Sequence, residues 1–293
     1  MIGQHPQAYG LPETQLFCAE TIAEWWDQCS ISTFPMADGL LRAVAQLHCG
    51  GQTPEGVRLA CGWLRRRFPC TTGMILEELA QPVVPRMLVE KSPSLVYRVE
   101  SMQRCFNMFP GARFLYLLRH PRGHGESVMK AIRDMATFGP VPHWVIHLAT
   151  YPSLDPHDSS PRRKDLDPQR GWYVLNTNIR SFLTSVPPQQ KLEMKGEDLL
   201  HDRDASLQRL AEWLGLRSGH DAIEAMKHPE RSVYACWGPE GARAGNDPFF
   251  LENPRLRPEQ ARVYKLEGPM PWSSETPGFL PEVVRLAREM GYQ

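Results

Sequence analysis

Apolar and polar residues follow two rhythms along this chain. Three short apolar runs read as strands. Met87-Leu88-Val89 stops at Glu90-Lys91, and Phe114-Leu115-Tyr116-Leu117-Leu118 stops at Arg119. Lys191-Leu192-Glu193-Met194-Lys195 is a third and weaker run. Short apolar runs that end at charge fit strands buried in a parallel sheet. Around them, apolar residues recur at the helical period over about 13–28, 38–48, 55–67, 72–80, 94–108, 121–136, 170–185, 203–214 and 279–290. Leu207, Leu210, Ala211 and Leu214 show that spacing plainly. Strands alternating with helices predict right-handed crossovers and an α/β fold with a parallel sheet flanked by helices. Two segments lack either rhythm. Residues 152–169 are rich in Pro and charge and read as an exposed loop. Residues 236–258 hold several Gly and Pro and are long for a structureless connection, as lids often are.

Composition narrows the possibilities. At 293 residues the chain can bury a substantial core in one large domain or two small ones. Lys+Arg and Asp+Glu are equal at 33 each, so no net field draws it to nucleic acid or to an anionic membrane. No apolar run approaches the roughly 20 residues needed to span a bilayer. The opening, MIGQHPQAYG, has neither the basic flank nor the apolar stretch of a secretory signal. The seven cysteines are scattered without a Cys-x-x-Cys pair, which argues against a zinc site or a disulfide framework. A reducing, cytoplasmic location fits best.

Residues 113–127, RFLYLLRHPRGHGES, carry the most chemistry. A strand that delivers Arg119 to its carboxyl end, followed by a helix start, is a place to hold a phosphate. The Arg supplies charge and a bidentate fork, the first-turn amides a partial positive field, and Ser127 a hydroxyl. Glu90-Lys91-Ser92-Pro93 repeats the theme, with Lys91 at a strand end and Ser92-Pro93 suited to cap and open a helix. In Tyr9-Gly10-Leu11-Pro12-Glu13-Thr14, Glu13 follows a Gly/Pro turn and reads as the opening of a helix, where a carboxylate complements the dipole. His120, His124, His143 and His147 are candidate metal ligands, with His143 and His147 at helical spacing, but no third ligand has a persuasive position, Pro140 and Pro142 crowd that segment, and a surface or structural role fits better. Trp25-Trp26 reads as core or as the wall of an acceptor pocket.

Taken in order, the GLPET, EKSP and FPGARFLYLLRHPRGHGES segments and a Glu197-Asp198-Leu199-Leu200 turn resemble the sulfotransferases that use 3′-phosphoadenosine-5′-phosphosulfate (PAPS). The likeness is to the bacterial and tyrosylprotein types, and it is weakest across 30–85 and 137–170. It implies a P-loop-NTPase-like sulfotransferase fold over residues 1–293 as a single domain. It implies that Arg119 and Ser127 bind the 3′-phosphate of the donor, with Ser232 a further contact near it. It implies that Glu13 is the general base on a hydroxyl or amine acceptor, small molecule or peptide, and that Lys91 steadies charge on the transferring sulfuryl group. The 236–258 segment would close over the nucleotide or acceptor. No metal is called for, because fixed cations can stabilise the leaving oxygen.

One departure stands out. Such enzymes begin with a strand and a Pro-Arg-Ser-Gly-Thr-like phosphate loop that cradles the 5′-phosphosulfate. No such stretch occurs here, and Met1–Pro6 reads as the last turn of the helix that should follow it. The expectation is a fold whose first strand and phosphate loop are missing, N-terminally truncated, with neighbours left at an unpaired edge and activity weak or absent. A start codon assigned too late is the first explanation, a shortened gene the second. Two alternatives remain. One is a nucleotide-binding remnant or regulatory module that transfers nothing. The other is a phosphotransferase, disfavoured because no Gly-Lys-Ser/Thr loop is present.

Overall fold

The computed structural model describes residues 1–30, 36–136, 143–256, 262–272 and 278–293. In chain order the elements are β1 (Ala8–Gly10), α1 (Ile22–Cys29), α2 (Asp38–His48), α3 (Pro54–Arg65), α4 (Thr72–Ala80), β2 (Met87–Val89), α5 (Val99–Met108) and β3 (Phe114–Leu118). They continue with α6 (Pro121–Ala136), α7 (His143–Ala149), α8 (Pro168–Leu183), β4 (Lys191–Lys195), α9 (Gly196–His201), α10 (Arg203–Leu214), α11 (His220–Met226), α12 (Pro248–Glu252) and α13 (Pro281–Glu289). The chain divides into two compact units: Met1–Ala112 with Asp202–Arg257, and Arg113–His201 with Pro258–Gln293.

In the first unit β1 pairs in parallel with β2, Tyr9 opposite Leu88. Helices α1–α4 close around Trp25, Leu40, Leu64, Ile75 and Leu79, all fully buried. Three of these helices start at a threonine. The Thr21 hydroxyl accepts from the Glu24 amide while the Glu24 carboxylate accepts from the Thr21 amide, a capping box. Thr53 caps α3 ahead of Pro54, and Thr71 caps α4. Each such cap stabilises its helix by about 1 kcal/mol.

In the second unit β3 pairs in parallel with β4, Tyr116 opposite Glu193. The side chains of β3 alternate: Tyr116 and Leu118 are buried, whereas Leu117 is 51% exposed. The Tyr116 hydroxyl donates to the Asn176 side chain on α8, and the Asn176 amide donates to the Trp172 carbonyl. The Trp172 indole in turn donates to the Arg119 carbonyl at 2.8 Å, so α8 fixes the strand end that carries Arg119.

Several expectations need correction. Residues 13–28 are not one helix. Gln15 is left-handed, with φ 56°, and its amide is taken by the Ser92 hydroxyl. Only a short 3₁₀ turn at Leu16–Cys18 precedes α1, so Glu13 does not open a helix. Ser92 makes no capping bond, because its hydroxyl is engaged by Glu90 and Gln15. The 94–108 segment is a 3₁₀ turn at Pro93–Val96 followed by α5. Residues 197–200 lie in the short helix α9 rather than a turn. The 152–169 loop ends in buried Asp167 and Gln169, where α8 begins. Within 236–258, α12 interrupts the irregular stretch, and residues 257 and 258 lie outside the described residues, as do Pro140, Pro142 and the side chain of His143.

Candidate functional site

The expected site residues fall into two groups, one in each unit. In the first unit, the ladder of β1 and β2 runs on past Gly10 through a bond from the Leu11 amide to the Val89 carbonyl, 2.9 Å. Glu13 follows. Its amide donates to the Gly245 carbonyl at 2.7 Å. Its own carbonyl lies so close to α2 that a Cβ on Gly39 would stand 1.9 Å from the oxygen. Gly245 has φ +95° and approaches Gly39 in turn, so the three backbones meet where side chains would not fit.

The Gly245 turn is itself anchored. The Ala244 amide donates to the Asp38 carboxylate at 2.8 Å, and the Arg42 guanidinium donates to the Ala244 carbonyl at 2.7 Å. Arg42 is fully buried, also donates to Gln52, and lies over the Tyr234 ring. Burial pushes the Asp38 carboxyl above the ordinary range and lowers the Arg42 guanidinium from its own.

Clamped in this way, Glu13 presents its carboxylate to the Lys91 ammonium, the two forming an ion pair across 78 positions of sequence. The Glu13 side chain is 15% exposed and the Lys91 side chain 68%. Beneath the pair lies Glu90, which accepts from the Thr14 hydroxyl at 2.8 Å and from the Ser92 hydroxyl. Burial raises the Glu90 carboxyl above the usual carboxylate range, against the pull of those two hydroxyls and of Lys91. Trp25 donates to the Thr14 carbonyl at 3.1 Å and completes the seat. Ser232, also in this unit, is half-buried after a 3₁₀ turn, and its hydroxyl accepts from the Tyr234 amide at 3.2 Å. The Tyr234 hydroxyl meets that of Tyr9 on β1 at 3.0 Å.

In the second unit, Arg119 leaves β3 exposed to solvent, and its guanidinium makes no hydrogen bond or ion pair among the described residues. Ser127 is half-buried on the second turn of α6. His124 lies one turn before Ser127 on the same face, with the Arg119 charge beside it. Burial, with Arg119 adding to it, lowers His124 to about 3, so its imidazole is neutral. His120 is lowered to about 4 by burial, with Arg122 and Lys195 adding to it. The His120 Nδ1 accepts from the Arg122 amide at 3.1 Å, which places the ring proton on Nε2. Its ring stacks on Tyr264 and meets Tyr292 edge-on. Glu197 holds the His120 amide at 2.8 Å and the Tyr292 hydroxyl at 3.2 Å.

The glycines of HPRGHGES now have a reason. A Cβ on Gly123 would stand 2.8 Å from the Tyr264 ring, and one on Gly125 would stand 2.3 Å from the Trp272 ring. Arg122 braces the same segment by donating to the carbonyls of Lys265, Glu267, Gly268 and Pro269 at 2.7–3.3 Å. Beyond Gly125, a cavity of about 320 Å³ opens between Glu126, Lys130, Arg133, Arg262 and Trp272. No group of three or more His, Cys, Asp or Glu residues able to hold a metal occurs among the described residues.

The structure thus brings Glu13 and Lys91 together and places the Arg119 charge near His124, which lies one helical turn before Ser127. The clamp that Gly39 and Gly245 place on Glu13, the bonds that seat Glu90 and the neutral imidazole of His124 escape a reading from sequence. A Gly-Asn pair at 245–246 marks a turn, but nothing local says that the turn receives the Glu13 amide.

Residues 1–220 match the model of the sulfotransferase family. No curated protein matches the sequence. Solved structures that share the fold include two sulfotransferase domains. The sulfotransferase domain from the curacin biosynthetic pathway aligns with TM-score 0.70 at 17% identity, covering 100% of this chain and 91% of that one. The sulfotransferase domain from the olefin synthase of Synechococcus PCC 7002 aligns with TM-score 0.67 at 21% identity, covering 100% and 88%. The sequence match, over about three-quarters of the length, assigns this chain to the sulfotransferase family.

Proposed function

We propose that the protein transfers a sulfuryl group from PAPS to a hydroxyl or amine of a small-molecule or peptide acceptor, with Glu13 as general base. The observation that carries this reading is the Glu13–Lys91 pair at the carboxyl ends of two paired parallel strands. Sulfuryl transfer needs a base for the acceptor proton and a fixed cation for charge that grows in the transition state. A covered carboxylate on a clamped backbone suits the first task. An exposed ammonium on a flexible stem suits the second, because it can leave Glu13 for an incoming anion.

The donor's chemistry fits the other group of residues. The Arg119 fork is uncommitted to protein partners among the described residues, as a phosphate ligand should be. Ser127 would add a hydroxyl. When bound, the donor supplies the activated sulfuryl group and leaves as adenosine 3′,5′-bisphosphate. Glu13 takes the acceptor proton onto a carboxylate oxygen, while Lys91 faces the developing negative charge. The segment 236–258 carries the Gly245 turn that holds Glu13, so in this reading it positions the base as well as covering the site.

Calorimetric titration with adenosine 3′,5′-bisphosphate tests the donor assignment. Arg119→Ala should weaken binding by about 10–100-fold, the weight of a charged hydrogen-bonded contact. Mass-detected transfer from PAPS to a panel of phenols, alcohols and amines tests the activity. Bisphosphate binding unchanged in Arg119→Ala, or ATP bound more tightly than the bisphosphate, refutes the assignment. Binding without turnover of PAPS on any acceptor supports the nucleotide-binding remnant instead.

A further inference from the structure

Seven cysteines that are scattered in sequence include two that meet in the fold. Cys18 ends the 3₁₀ turn after Gln15, and Cys29 ends α1. Their sulfurs stand 3.8 Å apart, in contact. The two thiols are unlike. Cys29 is 1% exposed and belongs to the hydrophobic core around Trp25, whereas Cys18 is only partly buried at its edge. Beside Cys18 lies the Arg104 guanidinium, fixed by bonds to the Phe17 carbonyl at 2.7 Å and to the Glu20 carboxylate at 3.0 Å. A bond from Cys29 and the nearby Arg104 charge lower the Cys18 thiol from its ordinary value, while Cys29 is pushed far up by its bond to Cys18 and by burial. An accessible sulfur that ionises more easily, backed by an inner thiol, is the arrangement of an attacking and a resolving cysteine.

We propose that Cys18 and Cys29 are a redox-active dithiol that a low-molecular-weight disulfide, such as oxidised glutathione, converts to an intramolecular disulfide. The Cys18 thiolate attacks one sulfur of the oxidant, forming a mixed disulfide and releasing one thiolate. The Cys29 thiol then attacks Cys18, and its proton passes to the second departing thiolate, which leaves as a thiol. Two cysteine thiols are oxidised by two electrons in all, and the small disulfide is reduced to two thiols. The product clamps the end of the 3₁₀ turn to the end of α1.

The test is incubation of the folded chain with oxidised glutathione, alkylation, and non-reducing peptide mapping. The expected product is a Cys18–Cys29 linked pair, lighter by two hydrogens, with two of the seven thiols lost and recovered on adding dithiothreitol. Cys29→Ala should hold a glutathione adduct on Cys18, since nothing resolves it. Cys18→Ala should leave Cys29 unreacted. Tryptophan fluorescence and urea unfolding show that each variant retains the fold. If exposed Cys236 acquires glutathione while Cys18 and Cys29 remain reduced, the two thiols merely pack and the proposal fails. An adduct on Cys29 in Cys18→Ala overturns the order of attack, and with it the proposal as stated.

Discussion

A methyl group at position 39 would strike the segment that carries Glu13. The Cβ of Gly39→Ala would stand 1.9 Å from the Glu13 carbonyl oxygen and 2.6 Å from its carbon. Both are backbone atoms, so no rotamer change relieves the clash. The segment must retreat by about 1.5 Å to regain ordinary contact. Retreat weakens the 2.7 Å bond from the Glu13 amide to the Gly245 carbonyl, a loss of about 1 kcal/mol. Overpacking adds about 1–3 kcal/mol. The better helix propensity of Ala returns at most about 1 kcal/mol, and less so near the first turn. The balance is a destabilisation of about 2 kcal/mol, or a Tm lower by about 4–8 °C. Urea unfolding followed by tryptophan fluorescence measures it, since Trp25 donates to the neighbouring Thr14 carbonyl. Gly111→Ala is the control, because its Cβ would meet open space. If Gly39→Ala unfolds at the same urea concentration as Gly111→Ala, the clamp does not exist as described. In an active preparation, displacing the base by about 1 Å should also lower turnover by about 10²-fold.

Glu13→Gln should lower turnover by about 10²–10⁴-fold and leave bisphosphate affinity nearly intact, since a general base acts on the acceptor; calorimetry beside a transfer assay separates the two, and equal activity removes Glu13 from the base role. His120 and His124 are held neutral in the folded chain, with values lowered to about 4 and about 3, but take up protons near 6.5 when unfolded. The unfolded state therefore binds more protons below about pH 6.5, so stability falls as pH drops from there toward 4 and then 3. His124→Gln should flatten part of that fall when urea midpoints are compared between pH 7 and pH 4; an unchanged slope shows that the imidazole is not buried neutral. Gly125→Ala should push the Trp272 ring off α6 and shift its share of the emission toward that of exposed indole, read by subtracting the spectra of matched Trp272→Phe proteins, and an unaltered difference spectrum contradicts the 2.3 Å approach.

Helical spacing made α2, α4, α6 and α10 legible to their ends, most plainly in α10, where Leu207, Leu210, Ala211 and Leu214 bury one stripe. Strands β2, β3 and β4 were legible because short apolar runs stop at charge. Strand β1 was not. Ala8-Tyr9-Gly10 is too short to show alternation, and it is a strand because β2 pairs with it. Glu13, Lys91, Arg119 and Ser127 were readable as chemistry at element ends. What holds Glu13 in place was not, since the bond from Ala244 to Asp38 spans 206 positions and local pattern carries no information at that range. The break at Gln15 was hidden for the same reason: its left-handed turn is set by Ser92, 77 residues on.

Arg122 also constrains motion. One planar cation is bonded to the carbonyls of four residues between Lys265 and Pro269 and rooted one residue inside α6. Sliding that stretch past the helix breaks all of these charge-assisted contacts together, and a lysine, with no fork, could not replace them. The stretch and the helix start therefore travel as one piece, and any force on residues 265–269 arrives at the turn between Arg119 and Ser127.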